Sequence, residues 1–538
     1  MIRDLRDLGA STQLTCDLCI VGSGAAGLAI ASEMSAASLS TAAMSSASMP
    51  SASLNVIVLE SGGMDLEPPT QALYDVDVSG LPHPGSTQGR FRICGGSTTR
   101  WGGQALPLTP FDFERREWIP HSGWPISFDE LRPYYQRACQ FLLIDALNFD
   151  TDLFRHLRTQ PPSFDAEEVW YHFSKWSPKP NLREHYLPAI RRSKQCTLLL
   201  HANVKDIVLE PGCERVRQID LQSLEGHKAS VKAKAFVLCA GGIETARLLL
   251  ANRKQRPNGI GNEHDLVGRF FQDHPSAMVG WLNSPDPARA QRFLNVFHRR
   301  GLKYSVRCTG TPRWQQRHRA LNVSMGTTFV ENDDATLGNL KEIYGAIRER
   351  RFDGVAGKLW RASRHPVAAI SPAYQYMVRG KSYAPGARMR IGLTSEQQPN
   401  PESRILLSDK LDALGVPRAN VRWKLTDLTL HTIRKYAETL REQFRRAAIG
   451  EIELDPWVFE DSERWTEQIT DQYHHIGTAR MHSSPRSGVV DRNCQVHGIA
   501  NLYVGSSAVF PTSGHSNPTL TIIALCIRMA DRLKRELA

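Results

Sequence analysis

The spacing of apolar positions changes near the start of the chain, and the changes predict a strand, a tight turn, a helix and a second strand. The apolar run 17–21 has the length and residue types of a buried strand. A glycine-rich segment, 22–27, follows it, and apolar residues then recur at helical spacing over 28–34. The next apolar run, 54–60, ends in the acidic residue Glu60. This order is typical of a βαβ unit that binds a dinucleotide.

The glycines of segment 22–27 have separate tasks in such a unit. Gly22 makes the turn, Gly24 lets backbone amides approach a pyrophosphate, and Gly27 lets the helix and the sheet pack closely. The N-terminus of the helix then binds the phosphate charge, and Glu60 accepts hydrogen bonds from a ribose diol. The segment therefore predicts a dinucleotide site at this turn.

Glu60 lies well beyond the usual distance of about 20 residues after the glycines. The cause is a low-complexity insert, 35–53, which holds eight Ser and six Ala. Such a segment cannot bury enough apolar area to offset the entropy lost when it is ordered. We therefore expect it to loop out at the surface between the helix and the second strand.

Later segments continue the same pattern, so the nucleotide-binding sheet is predicted to be discontinuous in the sequence. The strand-like run 235–240 leads into Gly241 and a Leu-rich helical pattern, and a strand at 501–504 precedes a helical pattern at 519–537. The segments between them lack this pattern and are assigned to a second, substrate-facing domain. The predicted boundaries are 12–123, 196–274 and 460–538 for the nucleotide-binding domain, and 124–195 and 275–459 for the substrate domain.

Composition adds a concentration of positive charge. A chain of 538 residues exceeds what one hydrophobic core usually serves, and 41% hydrophobic with 22% charged residues describe an ordinary globular protein. Most of the net charge of +11 lies between 301 and 390, where sixteen basic residues face six acidic ones. This basic region contacts an anionic substrate, an acidic carrier protein or a membrane surface, or is a solvated face without a partner. The absence of a recognition motif argues against nucleic-acid binding.

Cysteine usage and the opening residues bear on location. The ten cysteines are scattered, and the only CxxC pattern, at 16–19, runs into the first strand, where alternate side chains face opposite ways. We therefore expect no redox or metal role for it. The first ten residues carry mixed charges rather than a charged segment followed by an apolar one, so a cytoplasmic location is expected. The uncharged stretch 18–32 is too short to cross a bilayer, so no transmembrane segment is expected.

Seven separated blocks of sequence together resemble the glucose-methanol-choline (GMC) flavin oxidoreductases, from about residue 14 to the end of the chain. The blocks are GSGAAG at 22–27 with Glu60, CGGSTTRWGG at 94–103, LCAGGIETARLL at 238–249, VGRFFQDHP at 267–275, EQQPNPESRILLSD at 396–409, HHIGTARM at 474–481 and NPTLTI at 517–522. The resemblance implies an α/β fold in which a discontinuous Rossmann-like FAD-binding domain joins an α+β substrate domain with an antiparallel sheet. It also implies FAD rather than NAD.

The resemblance implies that the chain oxidises an alcohol, which requires removal of the hydroxyl proton and of a hydride from the same carbon. His474 matches the family's catalytic segment, and an imidazole is a suitable general base. His475 and, if the local register differs, His515 stay open as alternatives; otherwise His515 is a wall residue of the pocket. Asn517 is the second catalytic candidate, because its amide can hold the substrate oxygen beside the base. Asn517 followed by proline is also a good helix start.

Block 94–103 is expected to lie along the flavin, because glycines and small hydroxyl residues let backbone N–H groups reach the ring. Some family members carry, where this chain has Arg100, a histidine that attaches FAD covalently; we therefore expect non-covalent FAD. No metal is expected. The predicted cofactor-binding residues are Gly22, Gly24, Ala25, Ala26, Gly27, Glu60, Ser61, Gly95, Gly96, Thr98, Arg100, Gly102, Gly103, Val204, Ala240, Gly241, Ser506 and Thr519.

The similarity is greatest to the bacterial branch with pyranose-oxidase-like and glycoside-oxidising enzymes, which implies as substrate a secondary alcohol of a sugar, glycoside or natural product. Oxygen or another electron acceptor completes the cycle. Two other hypotheses stay open: an FAD-containing lyase of the same fold without net redox, and a carrier-docking, non-catalytic flavoprotein that uses the basic region 301–390. Asp273 and His274 are predicted to shape the domain junction and to take no part in catalysis. Four aromatic residues are predicted to be core rather than pocket: Trp314, Trp360, Tyr374 and Tyr376.

Overall fold

The computed structural model describes residues 1–9, 11–34, 54–330, 383–384, 386–460 and 463–538. Several sequence predictions fall outside these residues. They are the Ser/Ala insert 35–53, the part of the basic region at 331–382, and with it Trp360, Tyr374 and Tyr376.

The described residues form three sheets and a set of helices. The strands, in chain order, are β1 (Ile2–Asp4), β2 (Thr12–Val21), β3 (Val56–Leu59), β4 (Val76–Val78), β5 (Gln104–Ala105), β6 (Val169–Trp176), β7 (Cys196–Leu200), β8 (Asn203–Leu209), β9 (Val216–Gln222), β10 (Lys228–Leu238), β11 (Ser276–Asn283), β12 (Phe297–Arg299), β13 (Leu302–Gly310), β14 (Val323–Val330), β15 (Arg388–Ser395), β16 (Arg404–Leu411), β17 (Pro417–Arg422), β18 (Glu451–Leu454) and β19 (Leu502–Val504). The helices are α1 (Ala25–Met34), α2 (Pro68–Gln71), α3 (Gly85–Gln88), α4 (Pro110–Phe113), α5 (Phe128–Phe141), α6 (Asp152–His156), α7 (Leu182–Arg192), α8 (Gly241–Ala251), α9 (Pro287–Leu294), α10 (Pro312–His318), α11 (Asp427–Arg446) and α12 (Thr519–Leu537).

The first sheet contains the predicted βαβ unit and is discontinuous in sequence, as expected. Its order is β1-β7-β3-β2-β10-β9-β8, and β19 pairs with the end of β10. The strands at its centre, β7, β3, β2 and β10, run parallel, whereas β9 and β8 continue the sheet in antiparallel fashion. The predicted runs 17–21, 54–60, 235–240 and 501–504 overlap β2, β3, β10 and β19.

Helix α1 follows the glycine turn because the turn conformation needs glycine. Gly22 has a φ of 105°, and a Cβ on Gly27 would collide with the carbonyl oxygen of Gly22. The helix is apolar on nearly all sides and buried between the sheet and α12. Its N-terminus therefore points at the cavity described below.

The second sheet is antiparallel and has the order β18-β11-β15-β14-β13-β6-β5, with β12 paired to β13. One face carries Tyr171, Cys308 and Met325 and is buried. Tyr436 of α11 lies close to Tyr171 and Cys308, so α11 covers this face. Trp314, predicted as core, is fully buried in edge-to-face contact with Tyr436.

A third, small sheet has the order β16-β17-β4. The loop between β16 and β17 reaches the first sheet's cavity through Leu414 and Val416. None of the helices in the described part of the chain has an apolar stretch long enough to cross a membrane. The domain boundaries given above stay predictions.

Candidate functional site

A cavity of about 590 Å³ lies between the glycine turn of the first sheet and the edge of the second. Its volume is in the range of about 300–1,000 Å³ that is typical of small-molecule and cofactor sites. The predicted site residues that line it are Gly22, Gly24, Ala25, Ala26, Glu60, Ser61, Gly96, Thr98, Arg100, Gly102, Val204, Ala240, Gly241, His474, Ser506, Asn517 and Thr519.

Three predicted cofactor contacts do not line the cavity, and each has a steric role instead. Gly27 allows α1 to pack on the turn, as described above. Gly95 has a φ of 92°, and a Cβ there would lie 2.8 Å from the Cβ of Arg183. Gly103 has a φ of 78°, and a Cβ would lie 3.0 Å from the Cβ of Pro180. Direct contacts from these three glycines to the cofactor stay predictions.

Polar atoms that lack partners show what the cavity would bind. Four cavity-lining residues each have a buried atom without a hydrogen bond, namely Arg90 Nη1, Arg92 Nε, Asn203 Oδ1 and His475 Nε2. Leaving such atoms unsatisfied costs about 1–3 kcal/mol each. A polar ligand that offers both acceptors and donors removes that cost. Apart from His475, weighed only as a base, the sequence reasoning missed these residues, although Arg90 and Arg92 directly precede block 94–103.

Glu60 lines the cavity next to the glycine turn, where its carboxylate binds the backbone. Its Oε2 accepts hydrogen bonds from the backbone N–H and hydroxyl of Ser23, at 3.1 and 2.6 Å, and its Oε1 accepts one from Gly62 at 3.0 Å. Burial raises the pKa of its carboxyl. Gly24 has no atom within 4 Å of its Cβ position, so the N-terminus of α1 is open to a ligand. Together with the unpartnered donors, this set fits a dinucleotide such as FAD.

The two predicted catalytic side chains meet on the cavity wall. Asn517 Nδ2 lies 3.2 Å from His474 Nε2. On its other side, His474 Nδ1 lies 2.8 Å from Nδ1 of His274, and His274 Nε2 lies 2.9 Å from the carbonyl oxygen of Gly514. The structure therefore places His274 directly behind the predicted base. The sequence reasoning gave His274 no such role, because nothing in the pattern links two residues that lie 200 positions apart.

The ring hydrogens in this row of hydrogen bonds, from Gly514 through His274 and His474 to Asn517, can be assigned by starting at the Gly514 carbonyl. A carbonyl oxygen only accepts, so His274 Nε2 carries a hydrogen and donates it to Gly514. Burial lowers the pKa of His274, so its ring is neutral and its Nδ1 accepts. His474 Nδ1 must then donate, which leaves a lone pair on His474 Nε2 toward Asn517. Burial and the neighbouring His274 lower the pKa of His474 to about 3, so this ring is neutral as well.

Asp273 holds the backbone on both sides of the imidazole pair. Its Oδ1 accepts from the backbone N–H of His274 and Gln472, and its Oδ2 accepts from His83 Nε2 and from the backbone N–H of His474. Although full burial opposes its charge, the bond from His83 and the surrounding histidines bring the pKa of this carboxyl to about 2. Asp273 therefore fixes where His474 stands, contrary to the expectation that it only shapes the domain junction.

The two alternative bases have other surroundings, although His475 also lines the cavity. The His475 ring lies 5.6 Å from that of His83 and stacks at 6.2 Å on Phe271. His515 does not line the cavity, which corrects its assignment as a wall residue. Its Nε2 lies 3.3 Å from His172 Nδ1, and its Nδ1 lies 3.1 Å from Asn322 Oδ1. In the described part of the chain, neither ring forms a hydrogen bond with Asn517, whereas His474 does, so the geometry favours His474.

Comparisons with known proteins show which family this chain resembles. Two family models described as GMC oxidoreductase match residues 174–276 and 399–526. The chain is 25% identical to the fructose dehydrogenase large subunit of Gluconobacter japonicus, over 86% of this chain and 84% of that one. It is 24% identical to 2-methyl-1,2-propanediol dehydrogenase of Mycolicibacterium austroafricanum, over 86% and 85%. The fold resembles that of formate oxidase from Aspergillus oryzae, with a TM-score of 0.56 and 16% identity over 98% and 99% of the two chains.

Proposed function

The chain belongs to the GMC oxidoreductases, FAD-dependent enzymes that act on CH–OH donors, and on that premise we propose that it oxidises a sugar or a similar polyhydroxylated alcohol to a carbonyl compound, with His474 and Asn517 as its catalytic residues. The observation that carries the proposal is the lone pair of His474 Nε2, held 3.2 Å from the Asn517 carboxamide on the cavity wall. Two relatives, fructose dehydrogenase and 2-methyl-1,2-propanediol dehydrogenase, support a polyol substrate. A secondary carbinol is the proposed reacting group.

In the proposed reaction, His474 Nε2 takes the proton of the substrate hydroxyl. Asn517 Nδ2 donates a hydrogen bond to the substrate oxygen and stabilises the negative charge that develops on it. The protonated His474 keeps its Nδ1 hydrogen on His274 Nδ1, and Asp273 lies close enough to stabilise the new charge. FAD, when bound, supplies the hydride acceptor. These residues therefore divide proton removal, oxygen binding and positioning among themselves.

The cofactor would be held by groups already in place. The N-terminus of α1 would bind its phosphates, and Glu60 its ribose diol. Arg100 is exposed, and its guanidinium lies 5.5 Å from the ring of Phe91. An arginine cannot form the covalent bond to the flavin that a histidine forms at this position, so we propose that FAD is bound non-covalently. A cytoplasmic location and the electron acceptor stay predictions of the sequence.

Anaerobic flavin bleaching tests the proposed function. We expect the FAD-loaded protein to lose its yellow absorbance when mixed with the right sugar or polyol, and to regain it on addition of an electron acceptor. The measurement is flavin absorbance during a screen of neutral sugars, glycosides and diols. Product formation without any bleaching would contradict oxidation and favour a lyase of this fold.

Replacing His274 tests the assigned tautomer. In the His274→Leu protein, Nδ1 of His474 loses its acceptor, and we expect bleaching to slow by about 10- to 100-fold, the usual effect of removing an orienting partner of a functional histidine. His274→Asn retains an oxygen acceptor near the same place and is expected to recover most of the rate. Nitrogen-15 NMR of the histidine rings in the oxidised holoenzyme should show His474 protonated at Nδ1 in the wild type. A wild-type His474 protonated at Nε2 would disprove the assignment.

A further inference from the structure

The second sheet turns a charged face away from its buried core. Along β13, Tyr304, Val306 and Cys308 point to the core and are at most 6% exposed. Because side chains alternate along a strand, Lys303 and Arg307 lie on the opposite face. We call this opposite side of β6, β13, β14 and β15 the cationic face.

The cationic face borders the cavity at one end and the catalytic loop at the other. Trp176 lies opposite Lys303 on the neighbouring strand and lines the cavity. Gln104 also lines the cavity, and its Nε2 donates a hydrogen bond to Ser174 Oγ on this face. His172, the next side chain on the same face, contacts His515, two residues before Asn517. The cationic face therefore runs from the cavity wall at Trp176 to the loop that precedes Asn517.

Arg307 lies on the cationic face without a counter-ion. It is opposite His172, and its guanidinium extends over Gly326, where a Cβ would collide with it. Within the described part of the chain, its guanidinium has neither a hydrogen bond nor an ion pair. Burial alone lowers its pKa, with no carboxylate acting against that effect. A partly buried cation of this kind is stabilised by an anion that reaches it.

Lys303 is a second cation without a counter-ion among the described residues, and it lies beside Trp176 of the cavity wall. Its Nζ lies 4.4 Å from the centre of the Trp176 ring, and burial lowers its pKa. No carboxylate among the described residues pairs with it. By contrast, Arg390 of the same face is bound by both oxygens of Asp455. The fold thus supplies a counter-ion to one cation of the face and leaves Lys303 and Arg307, four residues apart, without one.

We propose that Arg307 binds an anionic group, a carboxylate or a phosphate, on the substrate whose carbinol is oxidised at His474, and that Lys303 adds positive charge to the same face. The proposal rests on the proposed function and narrows its substrate to acidic polyols such as sugar acids or sugar phosphates. Trp176 would contact the apolar face of the sugar ring, since aromatic rings suit such faces and its own ring already carries the Lys303 ammonium. The neutral His172 adds no charge of its own, because burial brings its pKa to about 3.

The test compares matched probes on the holoenzyme. The probes are methyl β-D-glucoside, methyl β-D-glucuronide and D-glucose 6-phosphate, which are neutral, a carboxylate and a phosphate. Isothermal titration calorimetry gives the Kd of each, and flavin bleaching gives kcat and KM. We expect tighter binding of a charged probe than of the neutral one, and the better of the two identifies the anion. Raising the salt concentration should weaken only the charged probes.

The variants Lys303→Gln and Arg307→Gln remove one charge each. We expect Arg307→Gln to raise the Kd and KM of the charged probe by about 10- to 100-fold, the usual worth of a charge-assisted hydrogen bond, and to leave kcat and the neutral probe within about twofold. Lys194→Gln removes an exposed lysine that lies outside the strands of the second sheet and does not line the cavity, and it serves as the control.

Two outcomes overturn the proposal: equal affinity for charged and neutral probes, or an equal loss for both in the Arg307 variant. Calorimetry separates this proposal from the proposed function, because it needs no turnover. Preferential binding of a charged probe without bleaching by any alcohol would refute oxidation and retain the anion site. Bleaching by neutral polyols without any preference for charged probes would support oxidation and refute the anion site.

Discussion

The His474→Ala protein is expected to stay yellow and to be bleached by its alcohol about 100- to 10,000-fold more slowly than the wild type. This is the usual contribution of a positioned general base. The loss follows from removing the lone pair that faces Asn517, while the residues that line the rest of the cavity are untouched. Stopped-flow absorbance under anaerobic conditions measures the rate, and the visible spectrum measures the bound FAD.

His475→Asn is the matched comparison, because this imidazole is the neighbour that the sequence left as an alternative base. A larger loss in His475→Asn than in His474→Ala would contradict the assignment.

The pH dependence of the bleaching rate provides a second check on the assignment of His474. A base must be deprotonated to act, and the pKa of His474 is lowered to about 3 by burial and His274. The wild-type bleaching rate should therefore be level from about pH 5 to 8 and fall only at more acidic pH.

The Asp273→Asn protein is expected to lose about 3 kcal/mol or more of its free energy of unfolding. Each carboxylate oxygen of Asp273 now accepts two N–H donors, and an amide replaces one of these acceptors with a competing donor. A buried group left without its partner costs about 1–3 kcal/mol, and breaking a buried charged network costs about 3–5 kcal/mol. Chemical denaturation of the holoprotein measures the effect.

Acid should also lower the free energy of unfolding of the wild type, because it protonates Asp273. The pKa of Asp273 is lowered from 3.8 to about 2 in the folded protein, chiefly by His83, despite its burial. Its stabilising effect is therefore complete above about pH 4 and is lost as the pH falls toward 2. Asp455→Asn, which breaks a partly buried pair with Arg390 whose side chains are 19% and 18% exposed, is the control and should cost less than Asp273→Asn. Equal losses in the two variants would contradict the role given to Asp273.

Local sequence patterns were enough to predict those parts of the fold and the site whose structure is set by residues close together in the sequence. The glycine turn, the helix after it and the strand that ends in Glu60 form one continuous unit, so their spacing predicts their structure. The family resemblance added His474 and Asn517, which the structure brings together from positions 43 residues apart. It did not show the packing role of Gly103, where a Cβ would lie 3.0 Å from the Cβ of Pro180.

The remaining features depend on pairings that no local pattern contains. Asp273 and His274 looked like junction residues, because their partners come from segments about 190 to 240 residues away. The basic region was recognised only as a net charge. The alternation of Lys303 and Arg307 with Tyr304 and Val306 was visible in the sequence, but which face would be buried depends on α11, more than a hundred residues later.

The way the first sheet is assembled constrains how the chain reaches its native state. Strands from residues 2–21, 56–59 and 196–238 are completed by β19, which pairs with the last three residues of β10. During synthesis on the ribosome, this edge of β10 therefore stays unpaired until β19 emerges, more than 250 residues later. Long-range pairing of this kind slows folding and leaves apolar strand edges exposed meanwhile. Efficient production of the protein should accordingly depend on chaperones and on slow, cool expression.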